Sequence, residues 1–151
     1  MENGRYFLYP STLLVCKRPA WITTILGSCV AVCLYDPVMK IGGMNHYMLP
    51  YWNGEGLASP KYGNIAINKL IKEMVKNGSK RLNLVAKIFG GANVSQVNHS
   101  IYYINKRNIS VSVNLLKEYS IPIVNSSTGG NKGRRIQFCT ETGKVLQKFI
   151  K

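Results

Sequence analysis

A cysteine and a histidine in the most informative stretch of this chain could together hydrolyse an amide or an ester. Cys29 follows a Gly-Ser turn, and His46 comes seventeen residues later. A thiolate can attack a carbonyl carbon, and an imidazole can take the thiol proton and return it to the leaving group. A neighbouring imidazolium would also lower the thiol pKa from its ordinary value of about 8.5. These residue types therefore indicate hydrolysis by a nucleophilic cysteine with a histidine base.

The segments that carry the two residues have the pattern of a β-hairpin. Residues 29–35 are apolar and rich in β-branched and aromatic side chains, which is typical of a buried strand. Residues 36–39 have the composition of a turn, and residues 40–49 predict the returning strand. This four-residue loop sets Cys29 opposite His46, and opposed side chains are about 4.5–5.5 Å apart at Cβ. The hairpin therefore predicts a Cys29–His46 pair.

Cys33 lies on the same predicted strand and provides an internal comparison. A free cysteine in an apolar strand is most often a small buried hydrophobe, and this alternative also applies to Cys29. Cys33 has apolar neighbours on both sides, no Gly-Ser turn before it and no histidine opposite. We interpret Cys33 as a packing residue.

Two further features could complete the site. Thr23 lies six residues before Cys29 and could hydrogen-bond the far ring nitrogen of His46, which would fix the tautomer of the ring. Thr24 would point to the opposite face if this segment is a strand. The turn before Cys29 presents the backbone N–H groups of Ser28 and Cys29, which are the predicted oxyanion donors.

Several short motifs follow one another along nearly the whole chain. They are Thr-x-x-x-Gly-Ser-Cys at 23–29, Gly-Gly-Met-Asn-His at 42–46, Ile-Phe-Gly-Gly-Ala at 88–92 and Thr-Gly-Gly-Asn-Lys-Gly-Arg at 128–134. Together they resemble the chemoreceptor glutamine deamidase family, CheD. The resemblance implies that the catalytic Cys, His and Thr of the family fall on Cys29, His46 and Thr23.

The resemblance also implies a substrate and partners. It implies conversion of specific glutamine side chains to glutamate on methyl-accepting chemotaxis receptors, and the same chemistry could hydrolyse a glutamyl methyl ester. A CheC-type phosphatase that docks on the deamidase is the second implied partner. An alternative is a regulatory binding module for that phosphatase with little or no catalysis, although the presence of Cys29, His46 and Thr23 disfavours a degenerate site.

Three other residues are candidates for contact with the substrate or a partner. Trp52 and Tyr62 flank a polar loop, rich in Gly and Pro, that follows the histidine strand. Arg134 lies in the basic Gly-rich segment 128–135, where it could bind a partner's carboxylate or be solvated. This segment lacks the spacing of a P-loop, so its role stays open. Ser126 and Ser127 replace an acidic residue that the family carries, which leaves the contacts of this loop open too.

The element pattern predicts an α+β fold, with mixed or antiparallel sheets packed as a sandwich and two long helices outside. We expect a single deamidase domain over residues 1–151. The remaining predicted elements are helices over 63–76 and 100–119 and strands over 82–89, 121–124, 136–139 and 145–150.

The composition disfavours several other classes of protein, among them a basic nucleic-acid binder. The net charge of +14 is large for 151 residues, but the basic residues are dispersed, so we favour an acidic protein partner over nucleic acid. No apolar run is long enough to span a membrane, and the first residues are too polar for a secretory signal peptide. The four cysteines show no metal-ligand spacing, so we expect no metal, no cofactor and a reducing, cytoplasmic location.

Overall fold

Two stacked β-sheets and two α-helices form the structure. The computed structural model describes residues 4–94 and 99–150. The strands are β1 (Gly4–Phe7), β2 (Thr12–Cys16), β3 (Ala20–Leu26), β4 (Val30–Asp36), β5 (Ile41–His46), β6 (Val85–Gly90), β7 (Ile123–Thr128), β8 (Gly133–Cys139) and β9 (Val145–Ile150). The helices are α1 (Gly63–Lys76) and α2 (His99–Glu118), and a short 3-10 turn covers Arg81–Asn83.

The strands divide into two sheets of mixed direction. Sheet A has the order β1-β3-β8-β9, and sheet B has the order β2-β5-β4-β6-β7. The β1–β3 and β6–β7 pairs are parallel and the other pairs are antiparallel. Both helices pack on the outer face of sheet B. The predicted α+β sandwich flanked by two long helices is confirmed, with both helices on the same side.

Sheet B is buried on both faces, which explains the almost continuous apolar sequence of β4. One core cluster lies between the two sheets and includes Ala31, Cys33 and Met44. The other lies between sheet B and the helices and includes Val30, Val32 and the inner face of α1. Alternate side chains of β4 therefore enter different cores.

Helix α1 has the predicted bounds because its periodic apolar face and the glycine that follows it mark the same C-terminal end. Its buried residues, spaced three and four apart, are Gly63, Ala66, Ile67, Leu70, Ile71 and Met74. Gly78 follows the C-cap with a φ of +111°, a conformation that glycine adopts at little cost. Within the described residues, neither helix is long and apolar enough to cross a membrane.

The β4–β5 hairpin is present, but its turn lies one residue later than predicted. Asp36 pairs with Ile41, so Asp36 belongs to the strand and Lys40 to the turn. The Asp36 carboxylate accepts the backbone N–H groups of Val38 and Met39 at 2.9 and 3.1 Å. Lys40 takes a φ of +55° and donates its N–H to the Asp36 carbonyl at 2.8 Å. The aspartate therefore caps the turn from the last position of β4.

One end of the sandwich collects the segments that sequence analysis singled out. The end of β3 pairs with the start of β8, through Leu26 and Arg134. The start of β4 pairs with the end of β6, through Val30 and Gly90, and Gly90 in turn pairs with the end of β7. Since β5 also ends here, the Cys29 turn, His46, Gly90-Gly91 and Gly129-Gly130 lie at the same end.

Candidate active site

Cys29 sits immediately before β4, on a turn that the end of β6 holds in place. Gly91 donates its backbone N–H to the Cys29 carbonyl at 2.9 Å, and Ala92 donates to the Gly27 carbonyl at 3.1 Å. Gly90 has a φ of +108°, and a Cβ placed on it would lie 2.2 Å from the Cys29 carbonyl oxygen. A glycine at position 90 is therefore required for β6 to approach the cysteine this closely.

Two backbone donors around Cys29 have no acceptor among the residues that the structure describes. Among the hydrogen bonds within the described residues, none uses the backbone N–H of Ser28 or of Cys29. Ser28 and Cys29 are both partly exposed. Two adjacent N–H groups beside a nucleophile are the arrangement that an oxyanion requires. This geometry supports the oxyanion prediction, which stays a prediction.

Cys29 does not lie directly opposite His46, so the predicted pairing is wrong. Val30 pairs with Tyr47, and this register places Ala31 opposite His46. The register differs by two residues from the predicted one because the turn is displaced by one residue on both strands. A displacement of two residues keeps every side chain on its original face, whereas a displacement of one would reverse it.

Cys29 and His46 nevertheless share the face of sheet B that looks toward sheet A. Cys29 packs against the core cluster between the sheets, and His46 contacts Thr24 of sheet A. The two residues are diagonal neighbours on adjacent strands, a relation that separates side-chain positions by about 7–8 Å. No hydrogen bond joins them in the described part of the chain.

The His46 ring is fixed by Thr24 and not by the predicted Thr23. Thr24 Oγ1 lies 2.8 Å from His46 Nδ1 and 2.7 Å from the Leu8 carbonyl oxygen. Because a carbonyl oxygen only accepts, the single hydroxyl proton goes to Leu8, and Thr24 Oγ1 accepts from Nδ1–H. The proton on Nδ1 leaves the lone pair on Nε2. Thr23 is the next residue of β3, so it points to the other face of sheet A.

Burial keeps both members of the pair neutral at neutral pH. His46 is 2% exposed, and burial lowers the pKa of its imidazole to about 4. Burial raises the pKa of the Cys29 thiol, so the expectation of a thiol pKa lowered by an imidazolium is wrong. The free protein therefore holds a thiol beside a neutral base, and not a preformed thiolate–imidazolium pair.

Trp52 and Tyr62 belong to a loop that folds back onto the end of β5. The Trp52 indole donates to the Glu55 carbonyl at 3.0 Å, and the Trp52 backbone N–H donates to Asn64 Oδ1 at 3.0 Å. Tyr62 is the residue before α1 and forms a β-bridge with Leu49. Both side chains are partly exposed near the histidine strand. Their contact with a substrate stays a prediction.

Arg134 is neither a surface residue available to a partner nor a solvated one. It is 3% exposed, and its guanidinium donates to Ser127 Oγ at 3.2 Å and to the Gly129 carbonyl at 3.0 Å. Its guanidinium carbon also lies 5.2 Å from the Phe149 ring centroid. Burial lowers the pKa of Arg134. Instead of binding a partner's carboxylate, Arg134 makes an internal contact, in which the Ser127 hydroxyl accepts a hydrogen bond from the guanidinium.

Sequence analysis missed two asparagines of α2 that hold both loops of the site. Asn105 donates to the Ala92 carbonyl at 3.1 Å, on the loop that supports Cys29. The Asn108 side-chain amide donates to the Met48 carbonyl at 3.0 Å, two residues after His46, and the Asn108 backbone carbonyl accepts the Tyr47 hydroxyl. Both asparagines are buried. Two amides three residues apart on the same helix face as Val111 and Leu116 were the available signal.

Comparison with known proteins gives a consistent family. Residues 48–149 match the family model described as "CheD chemotactic sensory transduction". The probable chemoreceptor glutamine deamidase CheD of Sulfurimonas denitrificans is 48% identical over 151 residues, which cover 99% of this chain and 97% of that protein. The protein of the same name from Trichlorobacter lovleyi is 48% identical over 94% of this chain and 88% of its own length.

One solved structure shows a weaker similarity. The crystal structure of the hypothetical protein YfiH from Bacillus licheniformis aligns with a TM-score of 0.48 at 19% identity. The alignment covers 89% of this chain and 59% of that one.

Proposed function

Because the chain belongs to the CheD family, we propose that it deamidates glutamine side chains of chemoreceptors through Cys29 and His46. One observation supports the mechanism most directly. Cys29 and His46 lie on the same face of sheet B, and Thr24 Oγ1 accepts a hydrogen bond from the protonated Nδ1 of the His46 ring. This leaves Nε2 as a base directed away from Thr24. The proposal makes the protein a cysteine-dependent protein-glutamine glutaminase that acts in chemotaxis.

The first half of the reaction forms a thioester. As Cys29 Sγ attacks the side-chain carbonyl carbon of glutamine, His46 Nε2 takes the thiol proton. Proton transfer accompanies attack because the resting thiol and imidazole are both neutral. The backbone N–H groups of Ser28 and Cys29 stabilise the oxyanion. His46 then returns the proton to the amide nitrogen, the C–N bond breaks, and ammonia leaves.

The second half releases the product by hydrolysis. His46 Nε2 takes a proton from a water molecule as its oxygen attacks the thioester carbon. The C–S bond breaks, the proton goes to the sulfur, and the substrate leaves as glutamate. Throughout both steps Thr24 keeps the proton of Nδ1 in place, so that the same nitrogen acts each time.

The same groups would also hydrolyse a glutamyl methyl ester. The oxyanion and the thioester are identical, and methanol replaces ammonia as the leaving group. An alkoxide is easier to expel than an amide nitrogen, so no additional residue is needed. We therefore include this esterase activity in the proposal.

A CheC-type phosphatase is the second proposed partner, on the basis of the family resemblance. The competing role is a binding module for that phosphatase with little catalysis. The buried Thr24–His46 bond supports the enzyme, because a binding module has no need of a fixed imidazole tautomer.

The test uses purified protein and the cytoplasmic fragment of a methyl-accepting receptor. Peptide mass spectrometry should find glutamines converted to glutamate, with release of an equal amount of ammonia. The Cys29→Ala variant should release none, while Cys33→Ala should match the wild type. Equal conversion by the wild type and Cys29→Ala would overturn the mechanism. No conversion by the wild type, together with intact binding of the phosphatase, would favour the binding module.

A further inference from the structure

A groove of about 550 Å³ opens beside the Cys29 turn. Its walls are the loop after β6, the turn between β7 and β8, and one face of α2. Gly91 and Gly130 lie on the loop side, and Tyr102, Lys106 and Ile109 lie on the helix side. A cavity of this size accommodates several residues of a peptide or one large side chain.

The groove shares a wall with the nucleophile. Gly91 lines the groove and donates its N–H to the Cys29 carbonyl at 2.9 Å. A Cβ on Gly91 would lie 2.5 Å from Ile109 Cγ1, so this wall needs glycine to approach the helix. An extended chain advances about 3.3–3.6 Å per residue, so residues a few positions from a glutamine at Cys29 reach the groove.

Hydrogen bonds between the loop after β6 and the turn after β7 hold two walls of the groove together. Gly129 donates its N–H to the Gly90 carbonyl at 2.9 Å, and Asn93 donates to the Gly130 carbonyl at 2.8 Å. The buried Arg134 holds the Gly129 carbonyl from the other side at 3.0 Å. The groove is therefore formed before a substrate binds, which reduces the entropy lost on binding.

The charge at the groove favours an anionic side chain. Lys106 is exposed, and its Nζ lies 5.0 Å from the Tyr102 ring centroid. None of the described lining residues is acidic, and residues 95–98, next to this wall in sequence, contain no Asp or Glu. The whole chain has 20 Lys and Arg against 6 Asp and Glu, so its field adds to the local one.

We propose that this groove is a specificity site that binds an acidic side chain of the substrate, a few residues from the reactive glutamine. The inference rests on the proposed function and adds a preference for substrate sequence to it. The Gly-Gly-Asn turn after β7 acquires a role as one wall of this site. Lys106 is the residue that distinguishes an acidic from a neutral segment.

The test uses two synthetic peptides that differ only near their single glutamine. Neighbouring positions are glutamate in one peptide and serine in the other. For the wild type, kcat/KM from ammonia release should be about 5-fold higher with the acidic peptide, mainly through KM. Lys106→Glu should abolish that preference, measured as the ratio of kcat/KM for the two peptides in one preparation. Lys144→Glu makes the same charge change in the β8–β9 turn at the opposite end of the sandwich, and the preference should survive in it.

Binding of the same peptides to Cys29→Ala, measured by fluorescence anisotropy, separates this inference from the proposed function. If the acidic peptide binds more tightly and this preference is lost in Lys106→Glu, the specificity site is supported. This holds even if the wild type releases no ammonia, and that absence of ammonia would overturn the proposed deamidase activity alone. Equal affinity and equal kcat/KM for both peptides would overturn the groove. Equal losses in Lys106→Glu and Lys144→Glu would also overturn it, because the preference would then come from the overall charge.

Discussion

Cys29 and Cys33 show how position on one strand separates a reactive thiol from a packing thiol. Both face the space between the sheets, and four residues separate them. Cys33 lies in the middle of β4 and is 1% exposed, and burial raises its thiol pKa far above the ordinary range. Cys29 precedes the strand and is partly exposed. Its own backbone N–H group and that of Ser28 make no hydrogen bond within residues 4–94 and 99–150. The end of the strand supplies access and donors that the middle does not.

The histidine follows the same rule on the neighbouring strand. His46 is the last residue of β5, where its side chain meets Thr24 of the opposing sheet. Met44, two residues earlier on the same face, is fully buried among apolar side chains beside Cys33. The directly opposed pair Cys33–Met44 forms an inner layer of this interface. On the same face, His46 lies one position nearer the strand end than Met44, and Cys29 lies two positions nearer than Cys33, so these diagonal neighbours form an outer layer. Only the outer layer combines a base, a donor pair and access to solvent.

Removing each thiol in turn should produce the largest difference between the two layers. Cys29→Ala should lower kcat by about 10⁴-fold or more, because no other described group at the site can form the acyl intermediate. Cys33→Ala should keep kcat and lower the free energy of unfolding by about 1 kcal/mol through the small cavity it leaves. Steady-state ammonia release measures the change in kcat, and urea unfolding measures the change in the free energy of unfolding. Loss of activity in Cys33→Ala with a normal unfolding curve would contradict the assignment.

His46 should give the outer layer a pH dependence that the inner layer lacks. His46→Gln should lower kcat by about 10²- to 10⁴-fold. In the wild type the base form persists down to a pKa of about 4, so the acid limb of kcat/KM for the free enzyme should fall near that pH and not near 6.5.

The same lowered pKa affects stability. Below pH 6.5 the unfolded chain binds a proton that the folded chain binds only near pH 4. The free energy of unfolding should therefore fall by about 3 kcal/mol between pH 7 and pH 4 through this group, and His46→Gln should remove that portion. Urea unfolding at a series of pH values measures it. An unchanged pH dependence in His46→Gln would contradict the buried neutral imidazole.

Thr23 and Thr24 offer a narrower test on β3. Thr24→Val keeps the shape but removes a hydrogen bond of about 1 kcal/mol to the ring, so kcat should fall about 5-fold at unchanged KM. Thr24→Ser should restore the rate, and Thr23→Val should change it by less than about twofold, since its effect on the ring is indirect. Proton NMR of the imidazole should lose the Nδ1–H signal only in Thr24→Val. A loss in Thr23→Val alone would restore the residue that the family resemblance implied.

The hydrogen bond from Asn108 of α2 to the Met48 carbonyl, called here the α2 tether, should have the smallest effect on the reaction. Asn108→Ala removes the hydrogen bond that this buried amide donates to the carbonyl of the exposed residue Met48, at a cost of about 1 kcal/mol in the free energy of unfolding. The rate should fall only a few-fold, because the β5 ladder still holds His46. Ser110→Ala, on the exposed side of the same helix, is the matched control and should change neither quantity. Equal effects of the two substitutions would show that the tether does not support the site.

Local sequence signals predicted the elements whose boundaries depend on their own residues. The bounds of α1 and β9 agree with the structure, because a periodic apolar face with a Gly stop, or a strand after a Gly turn, needs no distant partner. The predicted strand over 121–124 instead became β7, which extends to Thr128 through pairing with β6. Polar residues continue a strand when a neighbouring strand supplies the hydrogen bonds, and that neighbour is not visible in the local sequence.

The details of the site depended on contacts that no spacing reveals. The hairpin register was displaced because Asp36 caps the turn from within β4, and either position is compatible with the composition. Thr24 replaced Thr23 at the ring because the stacking of sheet A on sheet B decides which face of β3 looks inward. Arg134 is buried because Ser127 and Gly129 meet it from a neighbouring strand and turn.

Direct detection of the acyl intermediate tests the central claim that Cys29 is the nucleophile. Excess protein is mixed with the receptor fragment, quenched in acid within the first turnover, and digested for mass spectrometry. We predict an adduct on the peptide that contains Cys29, equal to the substrate less one ammonia, and an unmodified Cys33. Formation of glutamate while Cys29 stays unmodified at every quench time would contradict the mechanism.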